Sequence, residues 1–433
     1  MSQVETSLSA SEARPSLGEA FRVWLRIGLL SFGGPAAQIA LMHREIVEQR
    51  AWLSEKQYLN ALSFCMLLPG PEAMQLATYA GWRLHGTLGG IIAGLMFVIP
   101  GAVVIALLAS AYVIYGELPS VSALFLGVKA AVIVVVIEAL SRVGKRALSL
   151  PEHWITALLA FVAIFFFSVP FPLIVALAAL FGFMRSYNAS NDAVPVVVEQ
   201  GSFKTLSTIV IWLSIWWLPI LLVGALDNDG LLFEIGLFFS RLAVVTFGGA
   251  YAVLAYLGQD LVSQYGWISA GEMIDGLGLA ETTPGPLILV TEYVGFLAGY
   301  RDGGFAMAIA GALMTLWATF APCFLWIFAG APYIDWIGSQ ARLRGALSAI
   351  TAAVVGVILN LSIWFALHVF FTSVSAEQHG PLTLWTPDPA TLDWRVLVLS
   401  CGCALLLFKF KWGIIRVLAS ASAAGLLIAT FQA

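Results

Sequence analysis

From Gly86 to Tyr115 the chain runs without a single Asp, Glu, Lys or Arg, and a helix of that length outlasts the hydrocarbon core of a bilayer, about 30 Å thick. Val121 to Ala139 makes a second apolar run of spanning length. Only 11% of the 433 residues are charged, against about a quarter in soluble domains, so there is too little charge to cover a water-facing surface. A β-barrel would need strands of about ten residues that alternate polar and apolar, whereas these segments are apolar on all sides. The fold class expected is therefore all-α, a polytopic membrane protein whose first partner is the lipid bilayer. The opening residues are polar and lack the basic start, apolar centre and cleavage site of a signal peptide, so they read as a short tail. A net charge of −4 without a basic cluster argues against nucleic acid as a partner. Cys65, Cys323, Cys401 and Cys403 all lie in apolar segments and read as small buried hydrophobes. Without zinc or iron–sulfur spacing they suggest neither a metal nor a disulfide, and no cofactor is expected.

The same signature occurs twice. Ser31-Phe32-Gly33-Gly34 returns as Thr246-Phe247-Gly248-Gly249, an offset of 246 − 31 = 215. The same offset relates Trp52 to Trp267 and Pro69-Gly70-Pro71 to Pro284-Gly285-Pro286. After a slip of one residue, Tyr79-Ala80-Gly81 matches Tyr293-Val294-Gly295, and Gly89-Gly90 matches Gly303-Gly304. The organisation expected is a polar tail (1–16), a first repeat (17–185), a linker with a connecting transmembrane helix (186–230) and a second repeat (231–433).

About six crossings in the first repeat plus the connecting helix make seven, and an odd number turns the second repeat upside down. That count changes if the first broken segment dips in and returns. Charge supports inversion. Arg142, Lys145 and Arg146 follow the fourth segment of the first repeat, while the matching second-half loop carries Glu377, His379, Asp388 and Asp393. At the later hairpin tip the bias reverses, from the uncharged Val169-Pro170-Phe171-Pro172 to Lys409 and Lys411. Under the positive-inside rule these swaps suit inverted repeats with a cytoplasmic amino terminus.

Inverted repeats with broken helices are common in secondary transporters, where half-helix amino termini hold an anion near the midplane. Proline stops a helix and also suits the first position of a new one, so each Pro-Gly-Pro leaves free amide donors just after it. Unpaired N–H groups and the positive helix end attract anions. The substrate-binding candidates at the breaks are Ser31, Gly33, Gly34, Gly70 and Glu72 in the first half, and Thr246, Gly248, Gly249, Thr283 and Gly285 in the second. For any one break, a plain kink or close-packing point is the competing reading; the pairing of the breaks favours a site. Arg26 and Arg241 stand five residues before their Phe-Gly-Gly motifs, as a symmetric cationic pair. An arginine at mid-membrane costs about 2.5 to 3.5 kcal/mol, so it has a partner or a function; snorkelling, or an ion pair with Glu72 or Glu292, stays open beside substrate binding. Arg22 and Lys129 are weaker candidates. Glu72, Glu281 and Glu292 lie near the Pro-Gly-Pro breaks as proton-coupling candidates, each equally readable as a salt-bridge partner.

With these residues in view, the chain resembles the long, two-domain form of the chromate ion transporter family. The resemblance rests on Ser31-Phe32-Gly33-Gly34-Pro35, on Leu68-Pro69-Gly70-Pro71-Glu72-Ala73-Met74-Gln75-Leu76-Ala77-Thr78-Tyr79, and on Thr246-Phe247-Gly248-Gly249 with Thr282-Thr283-Pro284-Gly285-Pro286. It implies proton-motive-force-driven export of chromate, a tetrahedral dianion, across the bacterial inner membrane, giving chromate resistance. The second half has Ala250 where the first has Pro35, so the two halves need not act alike. Sulfate or another oxyanion is the nearest alternative substrate, and a passive anion channel a further reading. A membrane enzyme is disfavoured, because there is no dinucleotide fingerprint, cysteine cluster or helical histidine pair. A homodimer is the assembly allowed for.

Overall fold

The computed structural model describes residues 15–186, 202–247, 251, 253–254, 257, 261–262 and 265–432. Apart from one β-hairpin, these are helices joined by short turns. Six helical stretches among them are long and apolar enough to cross a membrane.

The first segment breaks where expected but does not continue through. Helix α1 (Leu17–Leu30) is capped by the Ser16 hydroxyl, and α2 (Gly34–His43) follows after Gly33 and Gly34, both with positive φ, +86° and +79°. A straight helix would separate residues 26 and 45 by about 28 Å at 1.5 Å per residue. Instead Arg26 lies 3.9 Å from Glu45, and the Trp24 and Trp52 ring centroids are 6.4 Å apart. The segment dips in and returns, because two adjacent residues at positive φ reverse the chain, and the expected count of six crossings in the first half does not hold.

Helix α3 (Glu55–Cys65) starts at a reciprocal capping box, Ser54 with Gln57. The same box, Ser269 with Glu272, opens its counterpart Ala270–Thr282, again 215 residues on. After Pro69-Gly70-Pro71, α4 (Glu72–Tyr115) is two arms, turned at His85 and Gly86. The arms pack backbone to backbone: a Cβ on Gly81 would collide with the Gly89 carbonyl, and one on Gly89 with the Gly81 carbonyl. The second half repeats this in Val290–Gly330, turned at Gly303 and Gly304, with Gly295 against Gly311. The longer arms of the two halves meet with Gly90 on Phe328 and Gly94 on Phe324, so they run in opposite directions along their contact.

Around this core, α5 (Pro119–Ala147) packs antiparallel on the last helix (Ile414–Gln432), with Gly127 against Ala421 and Gly425 against Ala123. Helices α6 (Pro151–Phe167) and α7 (Phe171–Arg185) pack on Ala341–Phe370, with Gly356 against Ala157 and Gly182 against Gly345. The connecting helix α8 (Ser202–Leu226) lies between the halves in sequence, and α9 (Leu231–Val245) opens the second. Further second-half helices are α10 (Ala270–Thr282), α11 (Val290–Gly330), α12 (Ile334–Ser339), α13 (Ala341–Phe370), α14 (Trp394–Ala404) and α15 (Ile414–Gln432). The loop after α13 carries an unanticipated hairpin, Val374–His379 against Leu382–Pro387, turned by Gly380 at φ +65° and Pro381. Cys65, Cys323 and Cys403 are buried as expected, but Cys401 is exposed, on the opposite side of its short helix from Cys403.

Candidate functional site

The four chain breaks join in two pairs across the halves. The Gly70 amide donates to the Thr246 carbonyl at 2.7 Å, and the Gly285 amide donates to the Ser31 carbonyl at 2.9 Å. These two bonds are related by the repeat, since 285 − 70 and 246 − 31 both equal 215. Each Pro-Gly-Pro is thus tied to the Phe-Gly-Gly break of the other half. Only glycine suits the central position comfortably, with φ +118° at Gly70 and +91° at Gly285.

Beyond the breaks, the first arm of α4 begins at Pro71 and the turn Leu287–Leu289 begins at Pro286, and no side chain caps either start. Ala73, Met74, Leu287 and Ile288 are buried. The first-turn amides therefore lie inside the protein without a capping acceptor among the described residues, an arrangement that favours negative charge. Glu72 is partly buried at the first of these starts.

Three hydroxyls predicted to bind substrate have their protons committed. Ser31 donates to the Ile27 carbonyl at 2.6 Å, Thr246 to Leu242 at 2.6 Å and Thr283 to Ala280 at 3.1 Å. Each oxygen can still accept a hydrogen bond. Two glutamines that the sequence did not single out hold the crossing together. Gln38, buried in α2, donates from Nε2 to the Gly285 carbonyl at 2.6 Å and to Ser31 at 3.2 Å. Gln75 donates to the Pro69 carbonyl at 2.7 Å. Both Oε1 atoms are buried without a partner among the described residues. Their signal in the sequence was position, one turn past a break in each case.

The expected charges divide. Arg26 is exposed and faces Glu45, a buried acid also held by Arg50 at 2.6 Å. Neither Glu72 nor Glu292 is its partner. Arg241 is exposed and makes no ion pair among the described residues; Gly248 and Gly249 lie outside those residues, as does Asp260, the position equivalent to Glu45. Arg22 turns back to the Gly18 carbonyl at 3.3 Å, away from the crossing. Glu281 is buried and accepts from the Tyr251 hydroxyl at 2.5 Å. Glu292 is buried, with Oε2 unpartnered among the described residues. Lys129 pairs across the halves with Asp275 at 3.3 Å.

The fold and this crossing define a polytopic α-helical membrane protein whose broken helices converge inside the protein. The family model "Chromate transporter" matches residues 18–183 and again 233–426. A chromate transport protein from Pseudomonas aeruginosa is 30% identical over 432 residues, 97% of this chain and 95% of its own length. A probable chromate transport protein from Synechococcus elongatus is 30% identical over 79% of this chain and 83% of its own length. A chromate transport protein from Cupriavidus metallidurans is 29% identical over 79% and 81% respectively. No solved structure matches. The chain belongs to the chromate transporter family, a family of transporters and not of enzymes.

Proposed function

We propose that this protein exports chromate across the bacterial inner membrane, coupled to the proton motive force, and so confers chromate resistance. The observation that carries the reading is the pair of uncapped helix starts at Glu72 and Leu287, each following a Pro-Gly-Pro that is bonded to the break of the other half, by Gly70–Thr246 and by Gly285–Ser31. A tetrahedral dianion supplies the acceptors that such amides lack. Arg26 and Arg241 stand one and a half turns outward from the crossing and lower the cost of bringing a dianion to it. Ser31, Thr246, Thr283 and the Gly33, Gly34, Gly70 and Gly285 backbones line the passage, and Glu281, Glu292 and Glu72 are acids able to exchange protons near it. The two halves are read as inverted repeats in the bilayer, which the opposed long arms of α4 and α11 support.

The test is uptake of labelled chromate into inverted membrane vesicles, with and without an imposed proton gradient and with excess sulfate as competitor. Saturable uptake that rises with the gradient and withstands sulfate is the expected result. Uptake no greater than in vesicles lacking the protein, with the folded protein present, rejects chromate as substrate; full displacement by sulfate makes sulfate the better one.

A further inference from the structure

We propose that Asp275 is a proton-carrying site of this transporter, set in a cavity between the two halves and governed by Lys129 and Tyr112. This rests on the proton-coupled reading above and names a residue for it.

Asp275 sits in the middle of α10 and is 3% exposed. Its Oδ2 accepts from the Tyr112 hydroxyl at 2.9 Å and lies 3.3 Å from the Lys129 ammonium. Its Oδ1 is buried with no partner among the described residues. Beside it lies a cavity of about 350 Å³, lined by Tyr112, Glu117, Lys129, Glu272, Asp275 and Arg301 among others. Three of those lining groups are acids and two are cations, and Arg301 is already engaged by both Glu272 oxygens at 2.6 and 2.7 Å. Such a lining repels a dianion and suits a proton. The groups facing the carboxyl come from every helix that brings one: Tyr112 from α4, Lys129 from α5, Tyr293 from α11, whose ring packs on Tyr112 at 5.5 Å, and Glu272 from α10 itself. From α13 and α15, also packed on α10, no ion pair or hydrogen bond to it occurs among the described residues.

The chemistry is one proton. An O–H bond forms on the Asp275 carboxylate as a hydronium ion in the cavity gives up one proton and becomes water, the carboxylate charge is cancelled, and Lys129 is left an ammonium without its counter-charge. Loss of the same proton to water restores the pair. The mechanical link is short. Tyr112 and Lys129 belong to the first half, Asp275 to the second, and α10 ends at the Pro284-Gly285-Pro286 break, nine residues on. Gly271 and Gly278 let α10 lie flush on α5: a Cβ at Gly278 would collide with Val128, and one at Gly271 would sit 3.3 Å from the Lys129 ammonium. Making or breaking this pair therefore acts on the element that carries one side of the anion site.

The experiment uses the purified full chain in proteoliposomes with two readouts: chromate accumulation driven by an imposed proton gradient, and labelled chromate counterflow, which needs no net proton movement. Asp275→Asn is expected to keep counterflow and to lose at least about tenfold in accumulation, while Asp275→Glu keeps both. Tyr112→Phe removes one hydrogen bond to the charged form, so the pH at half-maximal accumulation moves upward by about one unit. Three results would overturn the proposal: accumulation by Asp275→Asn equal to that of the unmodified protein, loss of counterflow together with accumulation in inserted protein, or an unmoved pH profile for Tyr112→Phe. Counterflow by the unmodified protein without any gradient response also rejects it, leaving chromate transport intact. Absence of both activities in the unmodified protein rejects instead the function on which it rests.

Discussion

At the scale of single residues, the arginines give the cleanest test of the proposed anion site. In Arg26→Leu the buried Glu45 keeps its bond to Arg50, so the fold does not inherit an unpaired buried charge. Membrane abundance should therefore hold while chromate transport falls by at least about tenfold, the equivalent of one lost charge-assisted contact. Arg241→Leu should act in the same direction, and transport unchanged in both variants would remove the pair from the site. Gln38 predicts the opposite pattern. Replacing it by Leu strips the Gly285 carbonyl of its donor inside the protein and should cost about 1 to 3 kcal/mol, seen as a lower thermal unfolding midpoint. The arginines were legible in the sequence because they recur at matched places. The acid facing Arg26 was not, since it lies nineteen residues on, beyond a chain reversal. Asp275 and Gln38 were missed for a related reason: their meaning lies in contacts with the other half.

At the scale of elements, several repeat marks read from the sequence are packing surfaces, but Gly303-Gly304, matched in sequence to Gly89-Gly90, is the turn of α11, as His85-Gly86 is of α4. Gly81 and Gly89 are the facing points of the α4 hairpin, as Gly295 and Gly311 are in α11. Gly81→Val would push a branched side chain into the Gly89 carbonyl and the Ala93 methyl with no flexible neighbour to give way. Overpacking of this kind costs about 1 to 3 kcal/mol or more, so a marked loss of folded protein in the membrane is expected, measured by fluorescence-detected size exclusion. A normal elution profile would show that the arms can part. The boundary between the arms was readable, because Gly86 separates two apolar runs. The return of the first segment was not: a Gly-Gly pair permits a kink or a reversal, and only contacts such as Trp24 with Trp52 choose between them. The β-hairpin after α13 escaped notice because its strands are short and lie in a polar loop, where composition carries little signal.

At the scale of the whole molecule, the charges sort by end. Helix α6 starts beside Arg142, Lys145 and Arg146, and its 17 residues rise about 25 Å to a tip where Ser168 meets Thr383 of the acidic loop. The antiparallel packing of α5 on α15 brings Lys409 and Lys411 to the same end as Arg142 and Lys145. Pro15, whose carbonyl lies 2.6 Å from His85 Nε2, marks the amino-terminal end of α1 beside the basic Arg83. A first segment that enters and leaves on one face takes one crossing from the expected seven, so the case for inversion rests on the charged ends and the opposed long arms and not on that count. The positive-inside rule predicts the lysine end in the cytoplasm and Glu377, Asp388 and Asp393 outside. Single cysteines introduced in a Cys401→Ser background test this with an impermeant thiol reagent. Lys145→Cys and Lys411→Cys should label only in inverted vesicles or opened cells, and Glu377→Cys only in intact spheroplasts. If Lys145→Cys and Lys411→Cys label from opposite faces, the repeats are not related by inversion, and the anion site would have to be reached by a different motion of the two halves.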